Sequence, residues 1–142
     1  MTVQGNEPIR VGIAGLGRSG WGIHARLLEP LKDKYRVIAV CDIDPARGQE
    51  MVARFGCRAY QDYAGLLGDA EVELIVVALP SYLHPSHSIM ALQAGKHVVC
   101  EKPMAVRVSD ADAMIEAARK SGRILTIFQN RRYHADFLKV RE

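Results

Sequence analysis

Long apolar runs are missing from this chain of 142 residues. None approaches the roughly 18 residues that a membrane span requires, and the polar start from Met1 to Pro8 has no signal-peptide apolar region. Cysteine is scarce. Three cysteines make neither a disulfide framework nor a CxxC metal pair, and Cys41 and Cys100 close apolar runs, where cysteine serves as a small core residue. A reducing, cytoplasmic setting is the expectation. Aromatic residues amount to 6% with one tryptophan, too few for a surface that stacks single-stranded nucleic acid. Neither sign of charge dominates: 19 Lys and Arg against 16 Asp and Glu leave a formal +3. The basic residues are scattered until the last dozen positions, so no electrostatic nucleic-acid surface is expected. No His/Cys/Asp spacing marks a metal site, and there is no internal repeat or low-complexity stretch.

What is present is the balance of a folded domain, 49% hydrophobic and 25% charged, at a length that suits one domain with a core of its own. Ile9 to Ala14 reads as a strand feeding a glycine cluster, and Ile23, Leu27 and Leu31 with Leu28 read as the helix after it. Val37 to Cys41 is apolar on both faces, as in a parallel sheet covered on both sides. Asp44-Pro45 has the N-cap and first-turn residues of a helix carrying Met51, Val52 and Phe55 and ending at Gly56. Cys57 to Tyr60 is a short edge strand, Asp62 to Leu67 a brief helix, and Leu74 to Leu79 a buried strand that breaks at Pro80-Ser81. Pro85 opens a helix that Gly95 terminates, and His97 to Cys100 is the next strand. Ser109 with Asp112 reads as a capping box for a helix with Ala111, Met114, Ile115 and Ala118 on one face, closed by Gly122. Ile124 to Phe128 is the last strand. Strand and helix alternate throughout, which predicts an α/β fold, a doubly wound parallel sheet of order near 3-2-1-4-5-6. The final apolar positions, Phe137, Leu138 and Val140, accumulate without a Gly or Pro stop. The reading is therefore a dinucleotide-binding domain over 1–130, with 131–142 as the start of a connecting helix toward a C-terminal domain outside this sequence.

Open parallel sheets bind ligands outside the carboxyl ends of their strands, so the residues after each strand are the candidates. Strand one is followed by Gly15-Leu16-Gly17-Arg18-Ser19-Gly20, strand two by Asp42, strand four by Pro80, Ser81 and His84, strand five by Glu101-Lys102-Pro103, and strand six by Asn130-Arg131. The glycines fit G-x-G-x-x-G: Gly15 for the tight turn, Gly17 for close approach of a pyrophosphate, Gly20 for packing of helix on strand. The helix start offers unpaired N–H groups and a positive dipole end. Asp42, 22 positions past Gly20, suits the adenosine ribose hydroxyls and would repel a 2′-phosphate, which favours NAD. Arg18 and Arg47 are able to accommodate such a phosphate, so NADP stays open.

The chain resembles the N-terminal domain of the glucose–fructose oxidoreductase / inositol 2-dehydrogenase (Gfo/Idh/MocA) family. The resemblance rests on Gly-Ile-Ala-Gly-Leu-Gly (12–17), His24-Ala25, Pro80 with His84, Ala94-Gly95-Lys96-His97-Val98, Cys100-Glu101-Lys102-Pro103 and Asn130-Arg131-Arg132. It runs from about Ile9 to the end. Two departures stand out: one extra residue between Gly20 and His24, around Trp21-Gly22, and Ser81 where the family usually has Asn. The resemblance implies NAD(P)-dependent hydride exchange with the hydroxyl carbon of a sugar, cyclitol or polyol. Lys102 is then the catalytic proton carrier, aided by partial burial, and Glu101 binds or orients near the nicotinamide ribose. Gly15 to Gly20, Asp42, Leu79, Pro80, Ser81, His84, Asn130 and Arg131 complete the implied cofactor contacts. A packed helical role is expected for His24, and none is assigned to His134 or Asp136. His84 either donates to the cofactor or caps its helix. The substrate site, a second catalytic group and a homo-oligomer interface are implied for the absent C-terminal domain, so this half alone is not expected to turn over substrate. The competing readings are a stand-alone nucleotide-binding or sensor module, in which Lys102 is idle, and a methyltransferase, which leaves Glu101-Lys102-Pro103 unexplained.

Overall fold

A computed structural model describes residues 7–141. Six strands, β1 (Ile9–Ala14), β2 (Tyr35–Cys41), β3 (Arg58–Tyr60), β4 (Leu74–Val77), β5 (His97–Cys100) and β6 (Leu125–Ile127), form one sheet in the order β3-β2-β1-β4-β5-β6. Every neighbouring pair is parallel. The order reverses at β1/β4, the point at which a doubly wound sheet opens a crevice.

Apolar residues cover both faces. Val11 and Ile13 of β1 pack with Val37, Val40, Met51 and Val76 on one side. Ala14, Ile75, Val77, Val98, Leu92 and Met114 pack on the other. Gly12 lies where a Cβ would come within 3.0 Å of Leu66 and 3.1 Å of Val72, so that face of β1 stays bare to admit the helix beyond.

The connections follow local chemistry. α2 (Pro45–Phe55) starts with the Asp44 side chain accepting from Ala46 N–H and ends at Gly56 in the left-handed region. α3 (Tyr63–Gly68) is capped by Asp62, α4 (His84–Gln93) precedes β5, and α5 (Val108–Ser121) ends at left-handed Gly122. α6 (Ala135–Arg141) buries no residue. Before α2 the chain does not form one regular helix. It runs as a wide π-helical turn, Gly20–Ala25, a single α-helical turn, α1 (Arg26–Leu28), and a 3-10 turn, Glu29–Leu31. The Ser19 carbonyl accepts from both Ile23 N–H (3.0 Å) and His24 N–H (2.9 Å), the signature of one residue too many in a helical turn. Pro30, which has no N–H to donate back to Arg26, tightens the far end.

Other departures are small. β2 starts two residues before Val37, β4 stops at Val77 rather than Leu79, and β3 and β6 are shorter than their apolar runs. Ser109 and Asp112 do not form a capping box. α5 already begins at Val108, and Arg107 precedes it in an extended conformation, its guanidinium paired with Asp110 at 3.0 Å through both Nε and Nη2.

Candidate dinucleotide site

The carboxyl ends of β1, β2, β4, β5 and β6 share one rim, and the candidate residues collect there. Gly15 has φ +88° and donates its N–H to Cys41 O at 2.8 Å, joining the turn to the end of β2. A Cβ on Gly15 would stand 2.5 Å from the Ala78 carbonyl oxygen, and one on Gly20 would run into the Gly15 carbonyl. Both glycines are therefore held by packing of the turn on itself and on β4. Gly17 differs: a Cβ there meets nothing within 4 Å. The N–H groups of Gly17, Arg18 and Ser19 have no hydrogen-bond partner among the described residues. Open space beside Gly17, next to three free donors at a helix entrance, suits an anionic diphosphate.

Asp42 is buried, and its carboxylate is already engaged. Oδ2 accepts from Leu16 N–H at 2.7 Å and Oδ1 from Asp44 N–H at 2.9 Å. Arg47 Nη1 lies 3.7 Å from Oδ2, with its guanidinium half exposed. The acid thus ties the glycine turn to the start of α2, and a carboxylate has lone pairs left for ribose hydroxyls. Asp44, not Asp42, is the helix cap.

After β4, Pro80 and Ser81 are exposed, Leu79 is half-buried, and a 3-10 turn Ser81–Leu83 leads into α4. His84 is 1% exposed and does not cap its helix. Its Nε2 sits 2.8 Å from Leu79 O and its Nδ1 2.7 Å from Pro103 O, so the ring staples the end of β4 to the end of β5.

Glu101 is 6% exposed. Its Oε1 accepts from His24 Nε2 at 2.8 Å and its Oε2 from the Lys102 N–H at 3.2 Å. Lys102, joined to Pro103 by a cis peptide, is exposed and makes no ion pair among the described residues. The partial burial expected for its amine is not found in this chain. Asn130 and Arg131 lie on a 3-10 turn, Asn130–Tyr133, past the end of β6, where Arg131 contacts His134 at 3.1 Å.

Two residues escape the sequence reading. His24 packs in the first helical segment as expected but also bonds Glu101. Phe128 lies with its ring centroid 4.4 Å from that of His24. A polar side chain on an otherwise inward helical position was the available signal for His24; nothing local marks Phe128.

Part of the diagnostic Ala94 to Val98 run is structural. Gly95 takes φ +78° to end α4, and Lys96 Nζ is buried, donating to Asp69 O at 2.8 Å and Val72 O at 2.7 Å. Burial pushes the Lys96 ammonium below its usual range, and two carbonyls compensate. His97 Nδ1 accepts from Ile124 N–H at 3.0 Å at the foot of β6. Cys41 and Cys100 are buried thiols pushed up to about 11 by desolvation, which keeps them protonated and inert beside the rim. Among the described residues no group of three or more His, Cys, Asp or Glu could hold a metal, and no helix is long and apolar enough to cross a membrane.

A glycine turn with free donors, an acid at the end of β2 and a crevice at the β1/β4 reversal define a dinucleotide-binding Rossmann domain. Residues 9–129 match the Gfo/Idh/MocA profile, described as an oxidoreductase family with an NAD-binding Rossmann fold. The chain belongs to this family. It is 34% identical over 137 residues to scyllo-inositol 2-dehydrogenase (NADP(+)) IolW of Bacillus subtilis, covering 96% of this chain and 37% of that protein. Identity to inositol 2-dehydrogenase of Salmonella paratyphi B is 35% over 136 residues, covering 94% and 40%. Among solved structures, the WlbA dehydrogenase of Chromobacterium violaceum, in complex with NADH and UDP-GlcNAcA, superposes with a TM-score of 0.90 at 34% identity, covering 99% of this chain and 41% of that one. The chain thus spans about two fifths of the length of these relatives.

Proposed function

We propose that this chain is the cofactor-binding half of an NAD(P)-dependent oxidoreductase that exchanges a hydride with the hydroxyl-bearing carbon of a sugar, cyclitol or related polyol. The carrying observation is the rim itself, where the open Gly17 turn, buried Asp42 and buried Glu101 share the carboxyl edge of the sheet with the exposed Lys102 amine. The Gly17, Arg18 and Ser19 N–H groups bind the diphosphate, with Gly15, Leu16 and Gly20 shaping the turn. Asp42 takes the adenosine ribose, and Leu79, Pro80, Ser81 and His84 form the floor after β4. Glu101 faces the nicotinamide ribose, and Asn130 with Arg131 closes the β6 side.

When bound, the nicotinamide supplies the hydride acceptor or donor. Carbinol oxidation also releases a proton, and the Lys102 amine is the group at the rim that can carry it. Its exposure in this chain leaves it accessible to a substrate presented from outside the domain. Residues 131–142 then lead toward that substrate-binding part, a reading supported by the two-fifths coverage of the relatives and by half-exposed Phe137 and Leu138 on α6. A homo-oligomer formed through that part is carried over from the family resemblance. A cytoplasmic setting is supported by three free, buried cysteines.

The test is titration of the chain with NADH, NADPH and S-adenosylmethionine by calorimetry. Binding of NADH, alone or with NADPH, is expected. Binding of S-adenosylmethionine alone would overturn the reading. In a protein that carries the substrate half, Lys102→Ala should lower kcat at least ~100-fold with cofactor affinity nearly unchanged; surviving turnover removes the proton-carrier role.

A further inference from the structure

Glu101 is held by two different parts of the chain. His24 Nε2 meets Oε1 at 2.8 Å and the Lys102 N–H meets Oε2 at 3.2 Å. His24 comes from the turn directly after the diphosphate-binding glycines, 77 residues from Glu101 in sequence. The Phe128 ring, just beyond β6, lies against the same imidazole. The segments that follow β1, β5 and β6 therefore meet at one side chain that the cofactor reading leaves unused.

Burial disfavours the charged imidazole, so the neutral ring with its hydrogen on Nε2 is the form that donates to the carboxylate. The wide turn sets where that ring lies. One extra residue between Gly20 and His24 would rotate His24 off its face of a regular helix by about 100°. The π-helical turn at Gly20–Ala25 absorbs that residue instead. Single wide turns of this kind occur frequently at functional sites.

Resting on the dinucleotide reading above, we propose that His24 is a positioning residue for the nicotinamide end of the site. It fixes the Glu101 carboxylate, and through it the backbone of Lys102, and takes no part in holding the adenosine diphosphate end.

Calorimetry with NADH and with ADP, which lacks the second ribose and the nicotinamide, separates this from a purely structural role. His24→Leu removes the donor and should weaken NADH about tenfold while leaving ADP within about twofold. His24→Gln retains an N–H in reach of Oε1 and should recover most of the NADH loss. Equal effects on the two ligands, including none on either, overturn the inference and leave the dinucleotide reading standing. A wild-type chain that binds neither ligand overturns both. Should His24→Leu not fold, nitrogen-15 spectra of the wild-type imidazole carry the test. The expectation is an Nε2–H tautomer whose resonances shift with NADH and not with ADP. An Nδ1–H tautomer, or equal shifts with both ligands, overturns the proposal.

Discussion

Gly17 and Gly20 sit three residues apart in one motif, yet their surroundings assign them opposite duties. A methyl on Gly20 collides with the Gly15 carbonyl, backbone that cannot give, whereas a methyl on Gly17 meets open space. Gly20→Ala should therefore cost about 3 kcal/mol of stability, seen as a lowered denaturant midpoint. Gly17→Ala should leave that midpoint within about 0.5 kcal/mol and weaken NADH about tenfold or more, because the methyl fills open space beside the free N–H groups. Loss of stability without loss of binding in Gly17→Ala would reverse the assignment. Asp42 combines the two duties. Asp42→Ala strands the Leu16 and Asp44 N–H groups and should cost about 1–3 kcal/mol. It should also weaken NADH more than NADPH, since the lost carboxylate no longer repels a 2′-phosphate and the Arg47 guanidinium beside it is released. Calorimetry with both cofactors checks this; equal losses count against a ribose role.

At the scale of elements, the strands were legible because each is a short apolar run with a polar or glycine-rich exit, the pattern of a sheet covered on both faces. The ends of α2, α3 and α5 were legible where a cap is purely local: Asp44, Asp62, Gly56 and Gly122 all stand where their chemistry puts them. Local signals failed where two of them overlap. Ser109 and Asp112 have capping-box spacing, but the helix starts two residues earlier, at Val108, where Arg107 pairs with Asp110. The π-helical turn was hidden for a related reason, since Ile23, Leu27 and Leu31 satisfy a four-residue spacing whatever the hydrogen-bond pattern upstream. Gly22 lies in that turn with room for a methyl and without a positive φ. Gly22→Ala should stabilise the chain by about 0.5 kcal/mol by restricting the unfolded backbone. A fall in the thermal midpoint would mean that the wide turn depends on glycine at this position.

Across the whole molecule, what the sequence could not disclose is pairing at a distance. The rim was readable one strand end at a time, but the bonds that lock it, His24 to Glu101 and His84 to Leu79 and Pro103, join segments whose meeting depends on strand order. That lock has a signature in the response to acid. His24 lies below its ordinary value of 6.5 because burial outweighs the attraction of Glu101, and burial shifts His87 in the same direction. In the unfolded chain both imidazoles gain a proton as pH falls through 6.5, whereas the folded chain resists until lower pH. The unfolded state thus binds more protons in this window, and stability falls with falling pH until the folded-state imidazoles also protonate. Glu73 and Asp69, both held below their usual values, lose their contributions only at still lower pH, below about 4. The thermal midpoint should drop between about pH 7.5 and 5.5. His24→Gln, which does not titrate, should remove the larger part of that drop. A slope unchanged in His24→Gln would mean that folding does not perturb the imidazole, whereas a steeper drop would mean that it is charged in the folded chain and that the bond to Glu101 is an ion pair.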